Sequence, residues 1–305
     1  EAILDVVSLA NKVRNRHARE GHVCTIMNAK SGACGENCRF CAQSAHHGAE
    51  IEVYPLQTVD SMLAEARAAY QSGVRSFGLV TSGTGFTEVD DSFQTILDGI
   101  DAIHEALPDM HVCASLGILS ETTAGLLATH GIQHYNINLQ TDPARYDELV
   151  ATTHGIDERI RTVRLLQSVG IGVCCGGILG LGETMQDRVS MAYALKDLDV
   201  DVIPLNVLVP IAETPLATSP SIEPAEAALT FALFRLINPT KIIKFAAGRE
   251  SRMSDFQGLL MLAGVNGMLV GGYLTTRGRD VDDDGVFAQQ LQAFSSGTDP
   301  LWTPS

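Results

Sequence analysis

Eight short β-type runs recur along this sequence, at 22–27, 75–81, 110–115, 133–139, 171–178, 201–207, 241–246 and 267–271, with helix-like stretches between them. Thr58 can cap a helix over 59–71 that ends at Gly73, Ser120 one over 121–129 that ends at Gly131, and Ser254 one over 255–262 with Gly264 after it. A further helix over 157–169 has Ile160, Val163 and Leu166 on one face and ends at Gly170. Strands that alternate with helices imply a parallel sheet, because a parallel pair needs a long crossover. Eight repeats point to an α/β fold, a (β/α)8 TIM-type barrel with its active site at the C-terminal mouth. A doubly wound open sheet has the same periodicity and stays open at this point. No low-complexity linker divides the 305 residues. The expected organisation is a single barrel domain: an N-terminal helix within 1–21, the barrel over 22–276 and a C-terminal extension over 277–305.

The chemistry-bearing residues fall in or just beyond these runs. Cys34, Cys38 and Cys41 follow the first run, and Thr81, Ser82 and Gly83 end the second. Cys113 lies in the third, Asn136 and Asn138 in the fourth, Cys174 and Cys175 in the fifth, Asn206 in the sixth, and Arg249 follows the seventh. Random scatter would have placed several of them on helices, so their convergence argues for an enzyme.

Charge narrows the partners. A net charge of −15 and a pI near 4.9 argue against nucleic acid or an anionic membrane surface. Residues 1–14 have the pattern of an amphipathic helix (Ile3, Val6, Val7, Ala10, Val13) rather than a signal peptide, and no apolar run is long enough to cross a bilayer. A cytoplasmic protein is expected. Its seven cysteines are too scattered for a disulfide scaffold and read as metal ligands or catalytic groups.

Cys34, Cys38 and Cys41 form C-x3-C-x2-C. A closed structural zinc site needs four ligands, and a 4Fe-4S cluster also has four corners. Three thiolates leave one iron open to a small molecule, which suits a catalytic cluster. A zinc knuckle or unligated core thiols are the bland alternative.

With Phe40 just before its last cysteine, the motif resembles that of the radical S-adenosylmethionine (SAM) enzymes. From about Thr25 to Thr276 the chain resembles biotin synthases. The segments that carry this are YNINL (135–139), GGILGLGET (176–184), IPLNVLVPIAETPL (203–216) and AAGRE (246–250). The resemblance implies a radical SAM sulfurtransferase that converts dethiobiotin to biotin. It implies SAM on the open iron of a 4Fe-4S cluster, and a second, auxiliary iron–sulfur cluster as the sulfur source. It also implies a reducing protein such as a flavodoxin or ferredoxin, and a homodimer.

Residue roles follow from the same resemblance. Thr81, Ser82 and Gly83 match positions that meet the methionine part of SAM, and Asn138 and Gln140 those that meet its ribose. The family usually has an acid where this chain has Gln140. Arg159 matches an arginine that pairs with the SAM carboxylate, and Phe40 and Ile178 fall at further cofactor-binding positions. Asn136, Asn138, Asn206 and Arg249 match substrate-binding positions. Each residue taken singly has a bland reading: turn formers at strand ends, a surface ion pair for Arg159, tight packing for the glycines. His46 and His47 read as loop residues.

The auxiliary ligand set departs from the family. Cys113, Cys174 and Arg249 match, but the remaining cysteine position is Gly78, which has no side chain to ligate iron. Cys24 supplies a thiol on the first run instead. The expectation is a rearranged cluster on Cys24, Cys113 and Cys174, of two or four irons, with Arg249 as ligand or donor beside it. Cys175 should point to the opposite face from Cys174. Two alternatives remain open: another radical SAM enzyme on this scaffold, hydrogenase maturase-like or methylornithine synthase-like, or a non-catalytic iron–sulfur protein for electron transfer or sensing.

Overall fold

The computed structural model describes residues 2–272, 274 and 281–292. Eight strands pair in parallel in chain order: β1 (His22–Lys30), β2 (Ser76–Thr81), β3 (His111–Ser115), β4 (His134–Asn136), β5 (Gly172–Cys174), β6 (Val202–Val207), β7 (Ile242–Phe245) and β8 (Gly267–Leu269). The last, β8, pairs with both β7 and β1, so the sheet closes on itself. The open-sheet alternative is thereby excluded, and each of the eight barrel strands falls on one of the sequence runs, β1 continuing past its run to Lys30.

Two runs are shorter as strands than their apolar pattern suggests. The run 133–139 forms strand only over β4. Beyond it the chain stays bonded to the next run, Ile137 N–H to Cys174 O and Gln140 N–H to Gly176 O, but departs from strand geometry, with φ +70° at Gln140. The run 171–178 breaks after Cys174 and resumes at Gly177–Leu179, which pairs with the far half of β6. Consequently β5 and β6 share one register pair, Cys174↔Val202. The break has a steric cause: a Cβ at residue 176 would sit 1.9 Å from the carbonyl oxygen of Pro204. Only glycine lets the two backbones come so close.

The main helices are α1 (Ile3–His17), α2 (Val59–Gln71), α3 (Asp91–Ala106), α4 (Glu121–Thr129), α5 (Ile156–Ser168), α6 (Met185–Asp197), α7 (Pro224–Ile237), α8 (Gln257–Leu262) and α9 (Val281–Gln292). The helices α2 and α4 match their expected bounds, because Thr58 and Ser120 cap them by accepting from the backbone N–H of Ser61 and Thr123. Ser254 does not cap: it opens a 3-10 turn, Ser254–Phe256, with φ +44°, between a short helix Arg249–Met253 and α8. The expected extension 277–305 is described only over α9; its other residues lie outside the described ones.

Helix α3 shows how the outer layer is held. Phe93, Ile96, Leu97, Ile100 and Ile103 recur at helical spacing and are buried. Each contributes about 1.5–3 kcal/mol by leaving water. Helix α1 packs on α7, and Arg235 of α7 is buried, donating to the carbonyls of Gly264 and Lys241 and to Oδ1 of Asn266.

Strand polarity sorts the interior. The strands β1, β3 and β4 begin with histidines, His22, His111 and His134, and end near the mouth. Burial first, with Lys244 and the other rings adding to it, pushes the His22 imidazole down to about 2. Burial and His134 bring His111 to about 4. The imidazoles at this floor are therefore neutral at pH 7.

Candidate active site

The loop after β1 presents the cysteine triad, and backbone bonds fix its shape. Cys34 N–H donates to Gln43 O, Ala45 N–H to Cys34 O and Cys41 N–H to Cys38 O. His46 and His47 do not present free rings: their Nε2 atoms bond the carbonyls of Gly35 and Cys38, at 2.9 and 3.0 Å. Asn37 straps the loop to Thr152 and Thr153. All three thiols are free. Burial first, then the neighbouring Cys41 thiol, pushes Cys38 up to about 12, with Arg159 opposing. Such thiols stay protonated until a metal takes the proton's place.

Glu36, inside the triad, ties this loop to the SAM-side residues. Its carboxylate accepts from Thr84, Thr153 and His154. His154 Nε2 in turn meets Tyr146 Oη and Nη2 of Arg159, at 2.8 and 3.0 Å. Arg159 also donates through Nε to Tyr146 Oη and through Nη1 to Asn138 O. The reading of Arg159 as a surface ion-pair residue is thus overturned, since its partners are interior. The guanidinium is aimed by three fixed groups, and Nη1 and Nη2 each keep a second N–H. Ser82 is buried and donates to Gly32 O, beside the triad loop. Thr81 is also buried, and Gly83 adopts φ +131°. Oε1 of Gln140 and Oγ1 of Thr141 are buried with no hydrogen-bond partner among the described residues, a mark of a polar ligand site.

One cavity, of about 330 Å³, runs from the triad loop into the barrel. Phe40, Cys41, Asn136, Asn138, Gln140, Ile178 and Asn206 line it, and so do Cys24, Cys113 and Cys174. Cys175 is fully buried in the apolar layer outside the sheet, as strand alternation requires. Burial raises Cys113 to about 11 and raises Cys174 further. Ser76 Oγ lies 3.6 Å from Cys113 Sγ.

The basic group beside these thiols is Lys244, which the sequence pattern did not single out. Nζ of Lys244 donates to Cys24 Sγ at 3.1 Å, and the side chain is buried. Burial alone would lower its pKa. Attraction to Cys24, Cys174 and Cys113 outweighs burial and holds the ammonium above the ordinary lysine value. Arg249, expected beside the auxiliary cluster, is not among the residues that line the cavity. Its guanidinium is fully buried elsewhere, donating to both oxygens of Asp284 on α9 and to Glu250 and Gln257. A buried guanidinium needs a carboxylate, and α9 supplies one.

Gly78 also has a clear reason for carrying no thiol. A Cβ there would lie 3.1 Å from Cγ2 of Ile26 and 3.9 Å from Cβ of Cys113. Ile26, two residues beyond Cys24 on β1, fills the space where a β2 ligand would stand.

The asparagines divide. Asn206 spends both amide ends on backbone, donating to Gly177 O and accepting from Ala247 N–H. Asn136 donates to Ser115 Oγ, and Asn138 accepts from Gly176 N–H. Among the described residues Oδ1 of Asn136 and Nδ2 of Asn138 have no partner, so one acceptor and one donor remain for a ligand.

Comparison with known proteins places this site in a family. The model of the radical SAM superfamily matches residues 29–194, and that of the biotin and thiamin synthesis associated domain matches 204–292. A biotin synthase of Chlorobaculum tepidum is 61% identical over 296 residues, covering 96% of this chain and 89% of the relative. One from Chlorobium phaeovibrioides is 60% identical over 296 residues, covering 97% and 89%. A solved methylornithine synthase superposes with TM-score 0.80 at 17% identity over 98% of this chain and 90% of that one. An FeFe-hydrogenase maturase from Carboxydothermus hydrogenoformans gives 0.79 at 17%, over 96% and 71%. At such identities these two support the barrel and nothing finer. A triad loop fused to a thiol-lined barrel cavity, with this depth of identity over nearly the whole length, means that the chain belongs to the biotin synthase family of radical SAM enzymes.

Proposed function

We propose that this chain inserts sulfur into dethiobiotin inside the 330 Å³ cavity, with the triad loop at one end and the thiols of Cys24, Cys113 and Cys174 at the other. Family membership makes it a radical SAM enzyme of biotin formation, with a 4Fe-4S cluster and SAM. When bound, these groups supply a 5′-deoxyadenosyl radical, and a second iron–sulfur cluster supplies the sulfur atom. The observation that carries the reading is that one cavity touches both thiol sets.

The chain's own residues do the positioning. Cys34, Cys38 and Cys41 hold the first cluster, with no fourth cysteine in the loop. Arg159 offers two N–H groups to the SAM carboxylate, a task that suits its planar fork. Gln140 offers its unpartnered Oε1 to a ribose hydroxyl, and Ser82 and Gly83 shape the methionine side. The spare amide atoms of Asn136 and Asn138 suit a ureido ring, which needs both a donor and an acceptor. Ile26, Val80, Ile178 and Val202 make most of the remaining wall apolar, which keeps water from a radical. Lys244 sets a positive charge against the thiol cage, which favours the thiolate form of its cysteines. The cage fits a cluster by its donors, three thiols free of disulfides, with the Lys244 ammonium beside Cys24 to offset thiolate charge.

The cluster's nuclearity, two or four irons, belongs to the same proposal. So do electron delivery by a flavodoxin or ferredoxin, a homodimeric state, a cytoplasmic location and a single barrel domain. Among the described residues no helix is long and apolar enough to cross a membrane.

The test is anaerobic incubation of the reconstituted chain with SAM, a reductant and dethiobiotin. Both 5′-deoxyadenosine and biotin are expected. The Cys24→Ser variant is expected to release 5′-deoxyadenosine with little biotin. Normal biotin yield from that variant would remove Cys24 from the sulfur source.

A further inference from the structure

The barrel floor holds a side-chain cluster that the proposed reaction does not use. Nε2 of His111 and Nδ1 of His134 lie 2.7 Å apart. The His22 ring stands edge-on to both, with centroids at 6.3 and 6.4 Å. One ring nitrogen of His111, one of His134 and Sγ of Cys113 all lie within 4.8 Å of one another. Nδ1 of His22 is buried with no hydrogen-bond partner among the described residues. Backbone has made room for this group: a Cβ at Gly172 would stand 2.7 Å from the His134 ring.

Two imidazoles and a thiol form a donor set that favours borderline divalent ions over Mg²⁺ or Ca²⁺. Three protein ligands leave at least one position for water or an incoming group. The two histidines are half-buried, whereas Cys113 also faces the interior cavity. The site therefore spans the floor, reachable from outside at one end and joined to the thiol cage at the other.

We propose that His111, His134 and Cys113 bind one divalent transition-metal ion at the floor of the barrel, and that this ion is Fe²⁺ on its way to the thiol cage. The loading role rests on the cage reading given above; the metal site itself does not. Binding converts the Cys113 thiol to a thiolate and releases one proton, with no change of oxidation state. Iron then reaches the cage from below, without crossing the mouth where SAM and substrate bind.

The test uses Co²⁺ as the probe on the full chain, held anaerobically, with Cys34→Ala, Cys38→Ala and Cys41→Ala removing the mouth thiols and Cys24→Ser and Cys174→Ser removing the two cage thiols that the floor site does not use. One equivalent of Co²⁺ is expected, with a thiolate charge-transfer band. His111→Gln with His134→Gln should weaken binding at least ~10-fold, and Cys113→Ser should abolish the band. No Co²⁺ binding, equal binding by the double Gln variant, or an undiminished band in Cys113→Ser overturns the floor site. If the double variant does not fold by circular dichroism, His111→Gln alone is read against the same thresholds. In the chain with an intact triad, the double Gln variant should refill its auxiliary iron at least ~10-fold more slowly and reach the wild-type count. An unchanged refill rate, or a lower final count, overturns the loading role. The iron count of Cys24→Ser judges the cage separately.

Discussion

Nζ of Lys244 donates to Sγ of Cys24 across 3.1 Å, joining β7 to β1 over the intervening β8. The contact sets a buried ammonium in the same cavity as Cys113 and Cys174. Lys244→Met keeps the volume and removes the charge. Biotin should form at least ~10-fold more slowly, equivalent to about 1.4 kcal/mol, while 5′-deoxyadenosine release persists. Product chromatography measures both, and an unchanged rate of biotin formation would make Lys244 a packing residue.

Cys175 provides the contrast with its neighbour. It is fully buried outside the sheet, whereas Cys174 lines the cavity. Cys175→Ala should cost about 1 kcal/mol of stability with full iron content. Cys174→Ala should lose iron and biotin together. Iron assay and thermal unfolding separate the two.

Asn206 and Asn136 should part company in the same experiment. Both amide ends of Asn206 hold backbone, so Asn206→Ala leaves buried groups unpaired and should destabilise the fold by about 1–3 kcal/mol. Asn136 has an unused Oδ1, so Asn136→Ala should weaken dethiobiotin binding with a smaller loss of stability. Denaturant unfolding and substrate titration check this; equal effects on both measures would contradict it.

Arg159 is oriented by Tyr146, His154 and the Asn138 carbonyl. Arg159→Lys keeps the charge but not the fork. It should weaken SAM about 10-fold and leave dethiobiotin affinity unaltered, as equilibrium binding to the reconstituted chain would show.

Much of this molecule was legible from its residues, for identifiable reasons. Local signals sufficed for α2 and α4, where a Thr or Ser cap and a following Gly fix both ends. They failed at Ser254, because the turn there is set by packing after the short helix Arg249–Met253. The cage thiols were readable, since period-two alternation separates Cys174 from Cys175. Lys244 was missed because a lysine among apolar residues reads as a strand edge when seen alone. Its position in a closed parallel barrel, buried on both faces, is what makes it informative. The pairing of Arg249 with Asp284 was not readable, because sequence cannot show that α9 returns that acid to it. The three floor histidines open separate strands, far apart in sequence, and only the parallel pairing and register of β1 to β4 bring them together.

Ile26 and Gly78 act as a pair of interlocking occupants. With a Cβ at residue 78 already at 3.1 Å from Ile26 Cγ2, a thiol on β2 and the isoleucine on β1 compete for the same space. A single Gly78→Cys exchange therefore overcrowds the wall, by about 1–3 kcal/mol, before it can offer a useful ligand. A thiol on β2 therefore asks Ile26 to give way, most simply through a smaller residue at 26. The identity of residues 24, 26 and 78 taken jointly, rather than the number of cysteines, should divide related chains into two chemical lineages.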